Sequence, residues 1–449
     1  MANRIFSIES FIYKVQYENY TPREEEIKTI GELLGQPTKK LDVVVERYNQ
    51  VFGKSIEKKC VSEGDVSICI YSWSPKVPFK VFPASLHAFG TIILFEKEMP
   101  KHILAYPINK ALSYAKSPGL PENEYGDLIP VEVSERIDGW QLTAYFNPLL
   151  GRWIFATRYA LHNMYYKKGK LIVEQLDQIV NPYVAIGDVL AEKEGLYEKL
   201  DKYRGWTFTF ILEGVEPAIT KPPYPIGAEY DKYRLYALMA RDTEGKLYTW
   251  SETARLLQYR VPPLRGIKPL RDIYVEVKTR LDIRSYFAFV KTGDPENPLL
   301  VELESDHYPD AMNVKYLYDA KSSALLITDG LGEELKKILD QSTREAVTKL
   351  EIYVKRLEDM FSNIKDDAIY TMSHVISKAL RDLVKTTSIS PEEVSRYLKE
   401  RNTRRLLRKV LSMLLNNRSL MSDETFHILD ALIEKLRGGE TLVHNTSLK

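Results

Sequence analysis

The sequence predicts an α+β protein with an all-helical C-terminal part, and three observations carry this. Short alternating or continuous apolar runs of strand length, such as Gly90-Thr91-Ile92-Ile93-Leu94-Phe95 and Thr207-Phe208-Thr209-Phe210-Ile211-Leu212, crowd the chain before Gly330. Beyond Gly330 the apolar spacing becomes helical, with start signals such as Ser390-Pro391-Glu392-Glu393. The composition, 44% apolar and 28% charged over 449 residues, is that of a folded chain with room for two to three domains.

The formal charge of +1 means that any nucleic-acid surface must come from local clustering of Lys and Arg. There is no 18-residue apolar run and no apolar stretch behind a basic start, so neither a membrane span nor a signal peptide is expected. A cytoplasmic location follows as an expectation. The two cysteines, Cys60 and Cys69, and seven histidines show no zinc-site spacing. A two-residue turn at Gly64-Asp65 would set the cysteines opposite each other, within reach of a bridge. For an intracellular chain two reduced thiols are the expectation.

Residues 1–80 are expected to form an N-terminal α+β portion. Thr21-Pro22-Arg23-Glu24 is a capping box, and Ile27, Ile30, Leu33 and Leu34 continue it as an amphipathic helix ending at Gly35. A second helix is expected over about 40–52 and a hairpin over 56–62 and 66–73, followed by the buried strand from Gly90.

The stretch Ser134-Glu135-Arg136-Ile137-Asp138-Gly139-Trp140-Gln141-Leu142 reads as a strand, a tight Asp-Gly turn and a second strand, gathering polar groups at one tip. It resembles motif I, Lys-x-Asp-Gly, of the covalent nucleotidyltransferases, the ATP-dependent ligases and capping enzymes, and most closely the phage-type RNA ligases. In that family the lysine attacks the α-phosphate of ATP. Here the matching residue is Arg136, whose guanidinium stays protonated and has no lone pair to offer.

Further motifs follow in the family's order. Pro107-Ile108-Asn109-Lys110 is similar to an element whose lysine handles the ATP phosphates, although Phe89 stands where the family has an arginine. Trp153-Ile154-Phe155-Ala156-Thr157-Arg158-Tyr159 looks like motif III, with Arg158 near a phosphate contact. Trp206 to Glu213 is similar to motif IIIa, so Glu213 falls on an acid near the ribose and the metal. In the motif IV region, Asn297 to Leu303, the metal-binding acid is absent, with Glu302 or Glu304 as substitutes in a shifted register. Motif V, Lys-x-Lys, aligns with Asn313-Val314-Lys315, keeping one lysine of two. The resemblance thus implies Arg136, Asp138, Glu213 and Lys315 as catalytic positions. Lys110, Glu135, Gly139, Arg158 and Lys315 would hold the nucleotide, and Glu213 the metal. ATP or AMP, with Mg2+ or Mn2+, would be the ligands.

Residues 81–329 would form this domain, 330–438 a helical domain, and 439–449 a disordered tail after a helix closed by Gly438-Gly439. Helices are expected over 333–364, 366–386, 391–401, 403–416 and 422–437. Within the helical domain Arg401, Arg404, Arg405 and Arg408 share one helix face while Leu406, Leu407, Val410, Leu411 and Leu414 supply the buried one. The stripe is either a phosphate-binding surface or a solvated face paired with nearby acids. Together these features describe a nucleotidyltransferase (ATP-grasp-like ligase adenylation) fold. The expected function is a divergent RNA ligase-like protein that binds RNA ends or a nucleotide, with ATP-dependent self-adenylylation impaired or lost. An active RNA ligase joining 5′-phosphate to 3′-hydroxyl ends, and a non-catalytic partner-binding protein, are the alternatives.

Overall fold

The computed structural model describes residues 3–74, 82–116, 119–161, 164–167, 170–173, 182–214, 229–385 and 389–446. The chain divides into two compact units, Met1–Lys278 with Ile283–Glu304, and Thr279–Asp282 with Ser305–Lys449.

The first unit opens on three helices, α1 (Arg4–Tyr17), α2 (Glu24–Leu33) and α3 (Leu41–Val51). Sequence reading had no place for α1. Its start is set by Asn3, whose side-chain oxygen accepts from the backbone N–H of Ile5 at 2.9 Å and of Phe6 at 3.2 Å. Ile5, Ile8, Phe11 and Ile12 then bury one face in a core shared with Ile56, Tyr71, Ile93 and Phe95. In α2 the cap is Arg23 instead of Thr21, because the Glu26 carboxylate accepts from the Arg23 N–H at 2.9 Å.

Four antiparallel strands follow in the order β1 (Ile56–Glu63), β2 (Val66–Trp73), β3 (Phe89–Glu96) and β4 (Met99–Ala105). The expected hairpin is present, with Gly64 at φ +60° in its turn. Cys60 lies directly opposite Cys69, their Cα atoms 4.1 Å apart, and the two are joined as a disulfide, which corrects the expectation of free thiols. Register explains the difference: residues paired across a hairpin bring their sulfurs together without backbone movement.

The remaining strands of this unit are β5 (Leu112–Ser113), β6 (Glu132–Glu135), β7 (Gly139–Asn147), β8 (Arg152–Thr157), β9 (Met164–Lys167), β10 (Lys170–Val173), β11 (Thr207–Glu213), β12 (Arg234–Arg241), β13 (Leu264–Arg265), β14 (Ser285–Val290) and β15 (Leu299–Glu304). Helices α4 (Glu122–Tyr125), α5 (Pro182–Lys193), α6 (Leu196–Leu200), α7 (Trp250–Leu257) and α8 (Leu270–Lys278) lie between them. Strands β12-β11-β7-β8 form one sheet, β13-β6-β14-β15-β5 another, and among the described residues β9 pairs with β10 alone. Strands β6 and β7 therefore belong to different sheets. The expected Asp-Gly hairpin is instead a link from one sheet to the next, since β6 takes its partners from β13 and β14 while β7 takes its own from β11 and β8.

Ile68, Ile70, Ile92 and Leu94 of the N-terminal sheet pack against Tyr145, Ile154 and Ala156 of β7 and β8. Each fully buried aliphatic side chain of this shared core contributes about 1.5–3 kcal/mol.

The second unit is helical: α9 (Tyr308–Leu317), α10 (Ala320–Thr328), α11 (Gly332–Lys337), α12 (Gln341–Ser362), α13 (Ile369–Leu383), α14 (Pro391–Lys399), α15 (Thr403–Leu414) and α16 (Asp423–Thr446). Its helices start with α9, ahead of Gly330 where helical spacing was expected to set in, and α10 packs on α9, α12 and α15. The single helix expected over 333–364 is two. Asp340 caps the second by accepting from the Thr343 N–H at 2.9 Å. Helix α16 runs through Gly438 and Gly439 to Thr446, past the glycines expected to close it, and the last three residues of the expected tail lie outside the described residues. Among the described residues no helix is long and apolar enough to cross a membrane.

Candidate functional site

The link between β6 and β7 is held at both ends. The N–H groups of Glu135 and Arg136 donate to the carbonyls of Pro263, at 2.9 Å, and Ser285, at 3.0 Å. Three residues later Gly139 pairs with Glu213 on β11. A Cβ at Gly139 would run into the carbonyl oxygen of Leu212, so glycine is required here by close approach of two backbones. Positive φ is not the reason, since Gly139 is not among the positive-φ residues.

Each charged residue of the link has a partner. The Asp138 carboxylate, 6% exposed, accepts from Nη1 of Arg284 at 2.6 Å. Glu135 pairs with Arg265. Arg136 donates to Glu302 of β15, and its guanidinium lies 5.8 Å from the ring centre of Phe287. Glu302 also accepts from Oγ of Ser285 at 2.9 Å.

Arg136 and Glu302 form part of the wall of a cavity of about 550 Å³. Among the described residues, Lys110 and Arg158 bring the basic side chains lining it to three, against the single carboxylate of Glu302. Phe89, Trp140, Tyr159, Tyr183 and Phe287 supply aromatic surface. Trp140 and Tyr183 are stacked, with ring centres 4.3 Å apart. The Arg158 guanidinium lies 3.8 Å from the centre of Phe89 and 4.8 Å from that of Tyr159. Burial lowers the Arg158 pKa to about 10, with the charge of Arg136 adding to it. Burial likewise lowers Lys110, followed by the charges of Arg158 and Arg136, against the opposing pull of Glu302 and Glu304. Two buried donors on this wall, Nε of Arg158 and Nε2 of Gln141, have no hydrogen-bond partner among the described residues. A buried donor without an acceptor costs about 1–3 kcal/mol, so the site fits a ligand rich in acceptor oxygens or nitrogens.

The backbone before Lys110 is anchored by a residue that carried no sequence signal beyond being a charge at the end of an apolar strand. Arg241 is 1% exposed and donates to the carbonyls of Gly245, at 2.5 Å, and Glu296, at 2.7 Å, and to Oδ1 of Asn109 at 2.8 Å. Its guanidinium stacks 3.8 Å from the ring centre of Tyr106.

Lys110, Arg136, Gly139 and Arg158 thus meet in one cavity. Asp138 and Glu135 flank it, each turned to an arginine, and do not line it. Glu213 lies outside the lining as well and accepts from the Tyr236 hydroxyl at 3.2 Å. Lys315, aligned with motif V, is on α9 of the second unit, with its ammonium 5.4 Å from the centre of the Tyr316 ring. Among the described residues no group of three or more His, Cys, Asp or Glu is placed to hold a metal.

The arginine stripe is divided. Arg401 precedes α15, in a left-handed conformation at φ +53°, and donates to Asp366 at 2.5 Å and to the carbonyl of Ile364 at 3.3 Å. Arg404 and Arg408 both donate to Asp329, the former at 3.0 Å. Arg405 is exposed and lies 5.8 Å from the centre of the Tyr397 ring.

No protein-family model and no curated protein matches the chain. Among solved structures it is similar to an archaeal ATP-dependent RNA ligase, at 12% identity and a TM-score of 0.38, over 84% of this chain and 98% of that one. It is also similar to variants of the Naegleria gruberi RNA ligase. One, with AMP and Mn, has 11% identity and a TM-score of 0.28. Another, with ATP and Mn, has 13% identity and a TM-score of 0.29. In both cases 42% of this chain and 53% of the other is covered, so the chain spans about half the length of the Naegleria ligase. At these identities and TM-scores no residue here takes a role from either ligase.

Proposed function

We propose that the protein is a divergent RNA ligase-like nucleotide-binding protein, in which self-adenylylation through position 136 is lost. The observation that carries this is the cavity's set of three basic side chains and one carboxylate, surrounded by aromatic rings. A base has flat apolar surface to lie against, and its phosphates have Lys110, Arg136 and Arg158 to offset their charge. Arg136 contributes a fixed positive charge and no nucleophile.

ATP or AMP is the ligand class that suits this lining. A magnesium or manganese ion, when bound, would supply further charge neutralisation at the phosphates. Glu302 is the carboxylate on the wall able to share it, with the nucleotide's own oxygens completing the shell. The terminal phosphate of an RNA 5′ end presents the same chemistry to the three basic residues, which makes RNA ends the proposed macromolecular partner.

The test is calorimetric titration of the full chain with AMP and with ATP, each with and without magnesium or manganese. Saturable binding that weakens at least tenfold in Arg158→Gln is expected, since about 1.4 kcal/mol corresponds to one charge-assisted contact. Absence of binding by either nucleotide under all these conditions would remove the reading.

A further inference from the structure

We propose that Cys60–Cys69 is a redox-active disulfide that sets the grip of the cavity on its ligand, holding the Arg158–Tyr159 wall in place when oxidised and loosening it when reduced. The ligand is the nucleotide of the preceding reading, on which this inference rests.

The two ends of the bridge differ in access. Cys60 is exposed on β1, whereas Cys69 of β2 is 2% exposed and belongs to the core that α1, α2 and α3 bury. Among the described residues β1 is the edge strand of its sheet, paired with β2 alone. An edge strand is held by one neighbour, so a covalent bond across that pair governs how far it can move.

Both bridged strands lead to the same part of the cavity. Successive side chains of a strand point to opposite faces, so Lys59 leaves β1 on the face opposite to Cys60. Its ammonium donates to the Tyr159 carbonyl at 3.4 Å and pairs with Glu57 at 3.1 Å. Strand β1 also lies against β9, the strand that follows Tyr159 in the chain. From β2 the path runs through β3, where Ser72 pairs with Phe89, whose ring centre is 3.8 Å from the Arg158 guanidinium. A Cβ at Gly90, which has φ +101°, would come within 3.4 Å of Cα of Arg158, so the backbone of β3 packs directly on that residue. The Arg158–Tyr159 segment is therefore held by β1 and by β3, and the disulfide fixes these two supports relative to each other through β2. Nε of Arg158 is one of the buried donors that lack a partner on this wall, so a shift of the segment is felt where a ligand binds.

The bridge opens by exchange with a low-molecular-weight thiol. The thiolate attacks Sγ of Cys60, the exposed partner. A new sulfur–sulfur bond forms as the Cys60–Cys69 bond breaks, and Cys69 leaves with the electron pair and takes a proton. A second thiol attacks the mixed disulfide and releases Cys60 as its thiol. The chain gains two electrons and two protons while two external thiols become one disulfide. Strand β1 is then held to β2 by backbone hydrogen bonds and by the contact of the Ser62 and Ser67 hydroxyls at 2.6 Å. Lys59 loses the fixed base from which it reaches Tyr159.

The experiment prepares the full chain oxidised and, in parallel, reduced with dithiothreitol that is then removed without air. Thiol titration counts the open cysteines and circular dichroism reports the fold. Hydrogen exchange read by mass spectrometry follows the amides of residues 157–161, and calorimetry gives the AMP affinity. The expected result is thiols that titrate only after reduction and an unchanged dichroism spectrum. Exchange over 157–161 should be faster by about tenfold in the reduced form, and AMP affinity lower by about fivefold. Oxidised glutathione should reverse both. Lys59→Gln in the oxidised form should show the faster exchange and weaker binding with little further change on reduction, an effect that a bridge serving only to stabilise the hairpin would not produce. A bridge that does not form or does not open, loss of the fold on reduction, exchange equal in the two forms, or faster exchange with unchanged affinity would each overturn the proposal. Faster exchange in a chain that binds AMP in neither form would remove the nucleotide reading and leave the redox coupling of the wall standing.

Discussion

Arg136 and Glu302 are partners across the cavity wall, the one leaving β6 and the other in the middle of β15, with Ser285 donating to the same carboxylate at 2.9 Å. The carboxylate occupies the guanidinium that a ligand phosphate would otherwise use. Anion binding at Arg136 is therefore a competition with an internal acid.

Glu302→Gln removes the competing charge and keeps an oxygen for Ser285. In the absence of divalent metal, AMP is expected to bind the variant about tenfold more tightly, a gain of about 1.4 kcal/mol. Calorimetry without metal measures this directly. Weaker binding in the variant would mean that Glu302 itself contacts the ligand.

Gly139 is fixed by the closeness of β11. Alanine there must push apart β7 and β11 where the motif link joins the sheet, because its Cβ would meet the Leu212 carbonyl. Overpacking of this kind costs about 1–3 kcal/mol or more, so the urea midpoint of Gly139→Ala should fall clearly below that of the parent chain. An unchanged midpoint would show that the strands can separate there at no cost.

How far the sequence led is visible at these two positions. Asp138-Gly139 looked like a hairpin turn because that dipeptide favours one, and local propensity says nothing about which strands the flanking segments will pair with. Lys110, Arg136, Gly139 and Arg158 were singled out by the resemblance of their segments to the ligase motifs, and one cavity is lined by all four. Gln141 and Trp140 lie in the same stretch yet could be assigned only once the direction of each β7 side chain was known. Arg241 was not legible at all, since its partners Asn109, Gly245 and Glu296 come together only in the folded chain. Cys60 and Cys69 were placed opposite each other correctly, and their state was misjudged because the expectation leaned on cellular compartment instead of geometry. Lys315 was assigned by its resemblance to motif V, and its segment is a helix.

His87 makes stability depend on pH. It is 2% exposed, its Nδ1 lies 2.7 Å from the Tyr106 hydroxyl, and burial, then the charges of Arg4 and Arg241, push its pKa well below the ordinary 6.5. The folded protein keeps the ring neutral while the unfolded chain takes up a proton below about pH 6.5. Stability is thus complete above that pH and is lost as pH falls toward the depressed folded value, by about 1.4 kcal/mol per pH unit for this one proton. Urea unfolding between pH 7 and pH 5 should show the loss, and His87→Gln should reduce the slope by nearly one proton. Equal slopes in parent and variant would mean that the ring is protonated in the folded state as well.

The arginines of the second unit are separable by the same kind of measurement. Asp329, 17% exposed and just beyond the end of α10, takes hydrogen bonds from both Arg404 and Arg408, so these two side chains join α15 to α10. Their own side chains are 56% and 38% exposed, which limits each pair to about 1 kcal/mol or less. Arg404→Gln with Arg408→Gln should therefore lower the thermal midpoint slightly. It should also leave the dependence of single-stranded RNA affinity on salt unchanged, because guanidinium groups already neutralised by a carboxylate release few counterions. Arg405, which lies over Tyr397, is the member of the stripe proposed to meet a phosphate. Its replacement by glutamine should reduce the log-log salt slope by about 0.7, the value for one phosphate contact on a single strand. Fluorescence anisotropy of a labelled oligoribonucleotide over a range of potassium chloride supplies both slopes. A drop of about 1.4 in the double variant, two contacts' worth, would show that Asp329 yields both arginines to RNA. A flat response in Arg405→Gln would remove this helix from any account of RNA binding.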